Sequence, residues 1–158
     1  MPTNSPTNVV GTAHPTTLRL HRPILSGRPE DGSYLSVPLL GEGHIRMNGT
    51  AVFEQAVRSM TQSLQEACHE TGLSPSDLNV VIPHPANQRI LDAIARRVGR
   101  PVFSHLRHFG NTSSSSLPLA LQAFLTQSSA DHQIGLCTFG GGFTHAAAVA
   151  DVCSEELV

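Results

Sequence analysis

The chain has no lysine: all ten of its basic residues are arginine. That absence excludes a lysine nucleophile, a Schiff base and a lysine-bearing phosphate loop. Aromatic residues are scarce at 4% of 158 residues, and twelve acidic residues outweigh the ten arginines. The sequence therefore has neither the basic field nor the interleaved rings that nucleic-acid binding uses. Three cysteines, Cys68, Cys137 and Cys153, form no CxxC pair and leave one thiol over, which fits a reducing compartment better than a disulfide framework. No run reaches the ~18 consecutive apolar residues of a membrane span. The stretch around Pro2, Asn4, Ser5, Pro6 and Thr7 lacks the basic and apolar regions of a secretory signal. The expectation is a cytoplasmic protein with no membrane, nucleic-acid or metal partner.

What is present changes character partway along the chain. Six of the eleven prolines lie in residues 1–38 among Thr, Ser and Asn, so residues 1–44 read as a tail and an irregular or β-hairpin segment. From Thr50, apolar residues recur at three- and four-residue steps (Val52, Phe53, Ala56, Val57, Met60, Leu64) until Gly72, predicting a long amphipathic helix over 50–71. Ser74-Pro75-Ser76-Asp77 supplies a cap, a proline at the first helical position and an acid at the third. The strand-length run Asn79-Val80-Val81-Ile82 follows, ended by Pro83. A second helix from Ile90 to Val98 closes at Gly99, and a third spans Leu117 to Leu125. Ile134–Phe139 and Thr144–Val152 read as buried strands on either side of Gly140-Gly141-Gly142. The order of helices and strands is that of an α/β domain, here over residues 45–158.

Three short segments concentrate the chemistry. Pro83-His84-Pro85-Ala86-Asn87 follows a strand and precedes a helix, the position where α/β folds place ligands. Gly110-Asn111-Thr112-Ser113-Ser114-Ser115-Ser116 opens the third helix; its hydroxyls suit capping, and Asn111 offers a side-chain amide donor. Phe139-Gly140-Gly141-Gly142-Phe143 permits positive φ and close approach to a ligand with bare N–H groups, without the GxGxxG spacing of a dinucleotide loop.

The three segments occur in this order, about two dozen residues apart. Together they closely resemble the C-terminal half of β-ketoacyl-acyl carrier protein synthase III, a condensing enzyme of the thiolase superfamily. The similarity runs from about Ile45-Arg46-Met47-Asn48-Gly49 to about Asp151, roughly two thirds of the chain. The resemblance implies a thiolase-like half, a three-layer α/β/α unit with a mixed sheet, lacking the N-terminal half of the full five-layer fold. It also implies a Cys–His–Asn triad in which the cysteine takes the acyl group. His84 matches the histidine and Asn111 the asparagine, two neutral donors that can meet the enolate oxyanion built as malonyl carrier protein loses carbon dioxide. The backbone N–H of Gly141 matches an oxyanion-hole element. Asn87 and Phe139 match residues that orient the site, and Met47, Gly49 and Phe53 match the wall of the pantetheine tunnel. No cofactor is implied, because the substrates ride on the phosphopantetheine of acyl carrier protein or on coenzyme A.

Two departures accompany the resemblance. Pro85 stands where the family has glutamine and removes a backbone donor. The nucleophilic cysteine belongs to the N-terminal half, and Cys68, Cys137 and Cys153 neither open a helix nor adjoin an arginine in sequence, so they read as packing or surface residues.

At 100° per residue, Arg89, Arg96 and Arg100 project within roughly 40° of one another on the second helix, with Arg97 flanking. The matching helix in the family docks the acidic carrier protein. The resemblance thus implies a C-terminal subunit or fragment of an acyltransferase that is inactive alone. Its partners would be acyl carrier protein and a separate cysteine-bearing half, or a second copy if it self-associates. One long helix, 50–71 or 117–125, would present an apolar face to that partner. The alternatives are a non-catalytic carrier-binding or scaffolding module and a truncated gene remnant.

Overall fold

Along two neighbouring strands, Ile134, Leu136 and Ala150 alternate with Cys137 and Val149, and all of them are buried. Each strand thus has two apolar faces, and both must be covered. The computed structural model describes residues 16–36, 43–128 and 130–154; the expected tail over residues 1–15 lies outside them. The elements are β1 (Thr16–Leu20), β2 (Ile24–Gly27), β3 (Leu35–Ser36), β4 (Arg46–Met47), α1 (Gly49–Glu70), β5 (Val80–Pro83), α2 (Gln88–Val98), α3 (Leu106–Phe109), α4 (Ser116–Gln127), β6 (His132–Phe139) and β7 (Thr144–Ser154).

The sheet order is β1-β7-β6-β5, with β2 also on β7. β5 and β6 are parallel, and the other pairings are antiparallel, so the sheet is mixed as expected. The N-terminal strands do not form a hairpin with each other. β1 pairs with Ala150–Ser154 and β2 with Thr144–Ala147 of the same long strand, so they are two pieces of one interrupted edge.

The alternation sorts the core into two layers. Val81, Cys137, Phe139, Ala147 and Val149 face α1 and α2, represented by Met60, Leu64, Ile90 and Ile94. Val80, Ile82, Ile134, Leu136, Ala150 and Val152 face Ala120 and Phe124 of α4. The result is the expected three-layer α/β/α arrangement. α1 passes so close to β6 that a Cβ at Gly135 would stand 2.7 Å from Leu64 Cδ1 and 2.8 Å from Leu78 Cδ1.

The helix signals act locally as their chemistry requires. Asn48 caps α1, its Oδ1 accepting from Ala51 N at 3.2 Å. At the other end Gly72 (φ +73°) reverses the chain, while Gly72 N donates to His69 O and Leu73 N to Cys68 O, so two carbonyls left by the helix end are satisfied. Ser74-Pro75-Ser76-Asp77 makes a 3₁₀ turn in which Asp77 Oδ2 accepts from Ser74 N at 2.7 Å. These hydrogen bonds, with Arg100 adding a smaller attraction, hold the Asp77 carboxyl below the usual carboxylate range. Among the described residues no helix is long and apolar enough to cross a membrane.

Candidate active site

β5 ends at Pro83, paired with Cys137 of β6, and His84 continues the ladder by donating its N–H to Cys137 O at 2.8 Å. A residue before proline is driven toward extended backbone, and Ala86 N then turns back to His84 O at 2.9 Å. Pro85 is buried in this tight turn. Asn87 ends it as the cap of α2, its Oδ1 accepting from Ile90 N at 3.0 Å. Asn87 therefore fixes where the helix starts after His84. Burial lowers the pKa of His84 from its ordinary 6.5, so the imidazole is neutral at pH 7.

The glycine turn rises from the same end of β6, two residues beyond Cys137. Phe139 is buried and meets Phe143 edge-on, with ring centroids 5.1 Å apart. Gly140 N donates to Thr144 O at 2.9 Å, and Thr144 Oγ1 donates to Gly141 O at 3.1 Å. Gly142 takes φ +69° and Phe143 φ +52°. The latter is a rare conformation for a bulky side chain, held because the ring is fully buried. Gly141 itself is exposed.

Residues 28–36 pack over this turn, although their composition marked them as irregular. Arg28 N donates to Phe143 O at 3.1 Å, and a Cβ at Gly32 would lie 3.5 Å from Gly142 Cα. No periodic pattern announces this contact; two small residues meeting backbone to backbone leave only glycines as a signal.

Asn111 follows Gly110, which takes φ +66°. Asn111 Oδ1 accepts from Ser113 N at 2.9 Å and from Ser116 Oγ at 3.5 Å. A backbone N–H can only donate, so the carboxamide must present its oxygen to the loop and leave Nδ2 pointing elsewhere. Ser113 is held at φ +58° by this contact. The serine run divides its labour: Ser116, buried at the start of α4, accepts from Thr112 N at 2.8 Å, while Ser113–Ser115 form an exposed 3₁₀ turn. Near the far end of α4, the Phe124 ring meets His132, the first residue of β6, at 5.4 Å. Before Asn111, Pro101–Phe103 run parallel beside Val81 of β5, with Val81 N donating to Pro101 O and Phe103 N to Val81 O, both at 2.9 Å, so the chain leaves Phe103 heading toward the end of β5 that carries His84.

The arginines sort differently from the helical arithmetic. α2 ends at Val98 and Gly99 takes φ +70°, so the chain has left the helix before Arg100. Arg100 therefore does not extend the stripe; its guanidinium acts on Asp77 at the opposite end of β5. The remaining face joins α1. Arg89 lies over the Phe53 ring at 5.4 Å, a cation–π contact. A cleft of about 320 Å³ is lined by Phe53, Glu54, Gln55, Val57, Arg58 and Arg97. Arg58 escaped the sequence reading because it sits alone among polar residues of α1, and only the packing of two helices brings it to Arg97. Arg96 is exposed beside them. Met47 is exposed on β4, and Gly49 begins α1.

No described cysteine has the setting of a nucleophile. Burial pushes the Cys137 thiol up to about 12 and the Cys68 thiol up to about 11, Asp77 adding to the latter. Cys153 is exposed on β7, well along the strand from the glycine turn. Among the described residues no three His, Cys, Asp or Glu side chains gather as a metal site.

Residues 68–152 match the family described as 3-oxoacyl-[acyl-carrier-protein (ACP)] synthase III C terminal. The chain belongs to this family. The β-ketoacyl-[acyl-carrier-protein] synthase III of Roseiflexus sp. is 44% identical over 115 residues, covering 69% of this chain and 35% of that protein. Its counterpart from Nitratidesulfovibrio vulgaris is 43% identical over 113 residues, covering 68% and 34%. The crystal structure of the Aquifex aeolicus synthase III superposes with a TM-score of 0.78 at 30% identity, covering 84% of this chain and 44% of that one. The chain thus spans about a third of the length of the curated synthases it matches. Its three-layer unit is one half of the thiolase-like fold of the solved synthases.

Proposed function

We propose that this chain supplies the decarboxylating half of a ketoacyl synthase III-like acyltransferase. His84 and Asn111 are its catalytic donors, and the acyl-carrying cysteine comes from a separate N-terminal half. What supports this reading is that the half-buried neutral imidazole of His84 and the glycine turn follow the carboxyl ends of the neighbouring strands β5 and β6, while the Asn111 amide has its oxygen already occupied and its Nδ2 left to donate. In the reaction, a malonyl thioester loses carbon dioxide. The electron pair of the broken C–C bond forms an enolate whose oxygen takes hydrogen bonds from His84 and from Nδ2 of Asn111. The enolate carbon then attacks the acyl-cysteine carbonyl, the tetrahedral oxyanion meets the Gly141 N–H, and the cysteine thiolate departs. Neutral donors suit this step because they stabilise charge without handing over a proton.

The cysteine-bearing half would rest on α4. Leu117, Leu119, Leu121, Ala123 and Leu125 run round that helix and stay only half-buried, whereas the outward positions of α1 are Glu54, Arg58, Gln62, Glu66 and His69. Of the two helices expected to need a cover, α4 is the one with apolar surface to hide. The acidic carrier protein would dock on Arg89, Arg96, Arg97 and Arg58, and its phosphopantetheine would pass Met47, Gly49 and Phe53. The pathway would be fatty-acid or polyketide-type synthesis.

The test is co-expression with the cysteine-bearing half of a relative. The expected outcome is a stable complex that condenses acyl thioester with malonyl carrier protein, whereas each half alone is inactive. Failure of the halves to associate, or condensation by this chain alone, contradicts the proposal. The arginine-rich cleft favours a second reading, a carrier-protein-binding module without chemistry. Carrier binding by a complex that never condenses would support it.

A further inference from the structure

A chain of ring contacts runs from α3, just before Asn111, to α4. Phe109, two residues before Asn111, stacks on His105 with centroids 5.6 Å apart and planes at 25°. His108 lies 5.1 Å from the same ring. His105 in turn lies 5.9 Å from Phe103, which meets Phe124 of α4 edge-on at 5.4 Å. α3, the four-residue helix between His105 and Gly110, is too short to hold itself. Its N–H groups at His108 and Phe109 both donate to His105 O, at 3.0 and 3.2 Å. His105 thus grips α3 twice, through its carbonyl and through its ring. The ring does this without a full set of hydrogen bonds, since its Nδ1 is buried with no partner.

We infer that His105 is a positioning residue for Asn111: its ring, clamped between Phe103 and the α3 residues, sets where α3 ends and hence where the Asn111 carboxamide stands. The loop has two anchors. Ser116 holds its α4 side through Thr112 N, and the His105 stack holds its α3 side. Removing the stack frees one end and loosens the contact between Ser113 N and Asn111 Oδ1. That this matters for condensation rests on the reading of Asn111 as a donor; the positioning itself does not.

The test is amide hydrogen exchange and side-chain amide NMR on the intact chain, with Asn111→Asp used to assign the Asn111 Nδ2 signals. His105→Leu keeps bulk without a planar ring, and His105→Phe keeps the ring without the unpaired nitrogen. The expected result for His105→Leu is roughly tenfold faster exchange at Ser113, the size expected for a lost ring stack, with shifted Asn111 Nδ2 signals and unchanged protection at Leu136 in β6. His105→Phe should restore both Ser113 and Asn111. Unchanged Ser113 exchange in His105→Leu overturns the inference. So does loss of protection at Leu136 in parallel, which marks a merely structural role, and so does failure of His105→Phe to restore the loop. None of these readouts needs a cysteine-bearing partner, so they fail or succeed independently of the acyltransferase reading.

Discussion

The main-chain N–H of His84 donates to the carbonyl of Cys137 at 2.8 Å, one residue past the last paired position of β5. Two residues further along β6 the chain reaches Phe139 and then the glycine turn. One ladder hydrogen bond therefore fixes the spacing between the imidazole-bearing turn and the candidate oxyanion turn. The position of His84 follows from strand register and not from side-chain contacts.

Burial of His84 and His145 lowers both pKa values from 6.5, and stability should follow. Below pH 6.5 the unfolded chain takes up protons that the folded imidazoles resist, so stability falls from about pH 6.5 down to the depressed folded pKa values and levels off below them. Above pH 6.5 these two groups contribute no slope. Urea unfolding between pH 5 and 8 checks this, and His84→Gln should flatten the acid limb.

Gly135→Ala should destabilise the fold by about 1–3 kcal/mol, because the new methyl enters the space of Leu64 and Leu78, both fully buried. The double variant with Leu64→Ala should lose less than the sum of the separate losses, since the two changes share one space. Denaturant midpoints of the single and double variants measure it.

Ser116→Ala removes the acceptor for Thr112 N and one neighbour of Asn111 Oδ1. A loss of about 1 kcal/mol is expected, with faster amide exchange confined to residues 111–116.

Charge reversal at Arg58 and Arg97 should weaken binding of an acidic carrier protein, with an effect that shrinks as salt rises. The same change at Arg100, which lies past the end of α2 at Val98, should leave carrier binding intact. Calorimetry at low and high ionic strength separates the two.

Much of this was legible beforehand because the signals were local. The α1 periodicity, the Ser74–Asp77 turn, the Gly99 stop and the strands flanking the three glycines each depend on neighbouring residues, and their bounds fall within two residues of the expected ones. The expected α/β half and its family also stand. What was not legible came from packing between distant segments. Nothing in the Pro-rich composition told that β1 and β2 would share one long partner in β7, or that Gly32 would seat on Gly142. Arg100 misled because helical projection was carried past Gly99, where left-handed backbone ends the helix. Arg58 went unnoticed because a lone arginine acquires neighbours only when α1 meets α2. The occupied Oδ1 of Asn111 is likewise a product of loop closure, which residue types alone do not encode.

In the proposed reaction, His84 and Asn111 jointly stabilise the enolate of a decarboxylating malonyl thioester. The most direct measurement is the rate of carbon dioxide release from malonyl carrier protein by the chain assembled with a cysteine-bearing half, with His84→Ala and Asn111→Ala compared at equal acylation. Each substitution should slow release by about 10²–10³ while the cysteine still becomes acylated at the wild-type rate. Release that continues unchanged in either variant would contradict it.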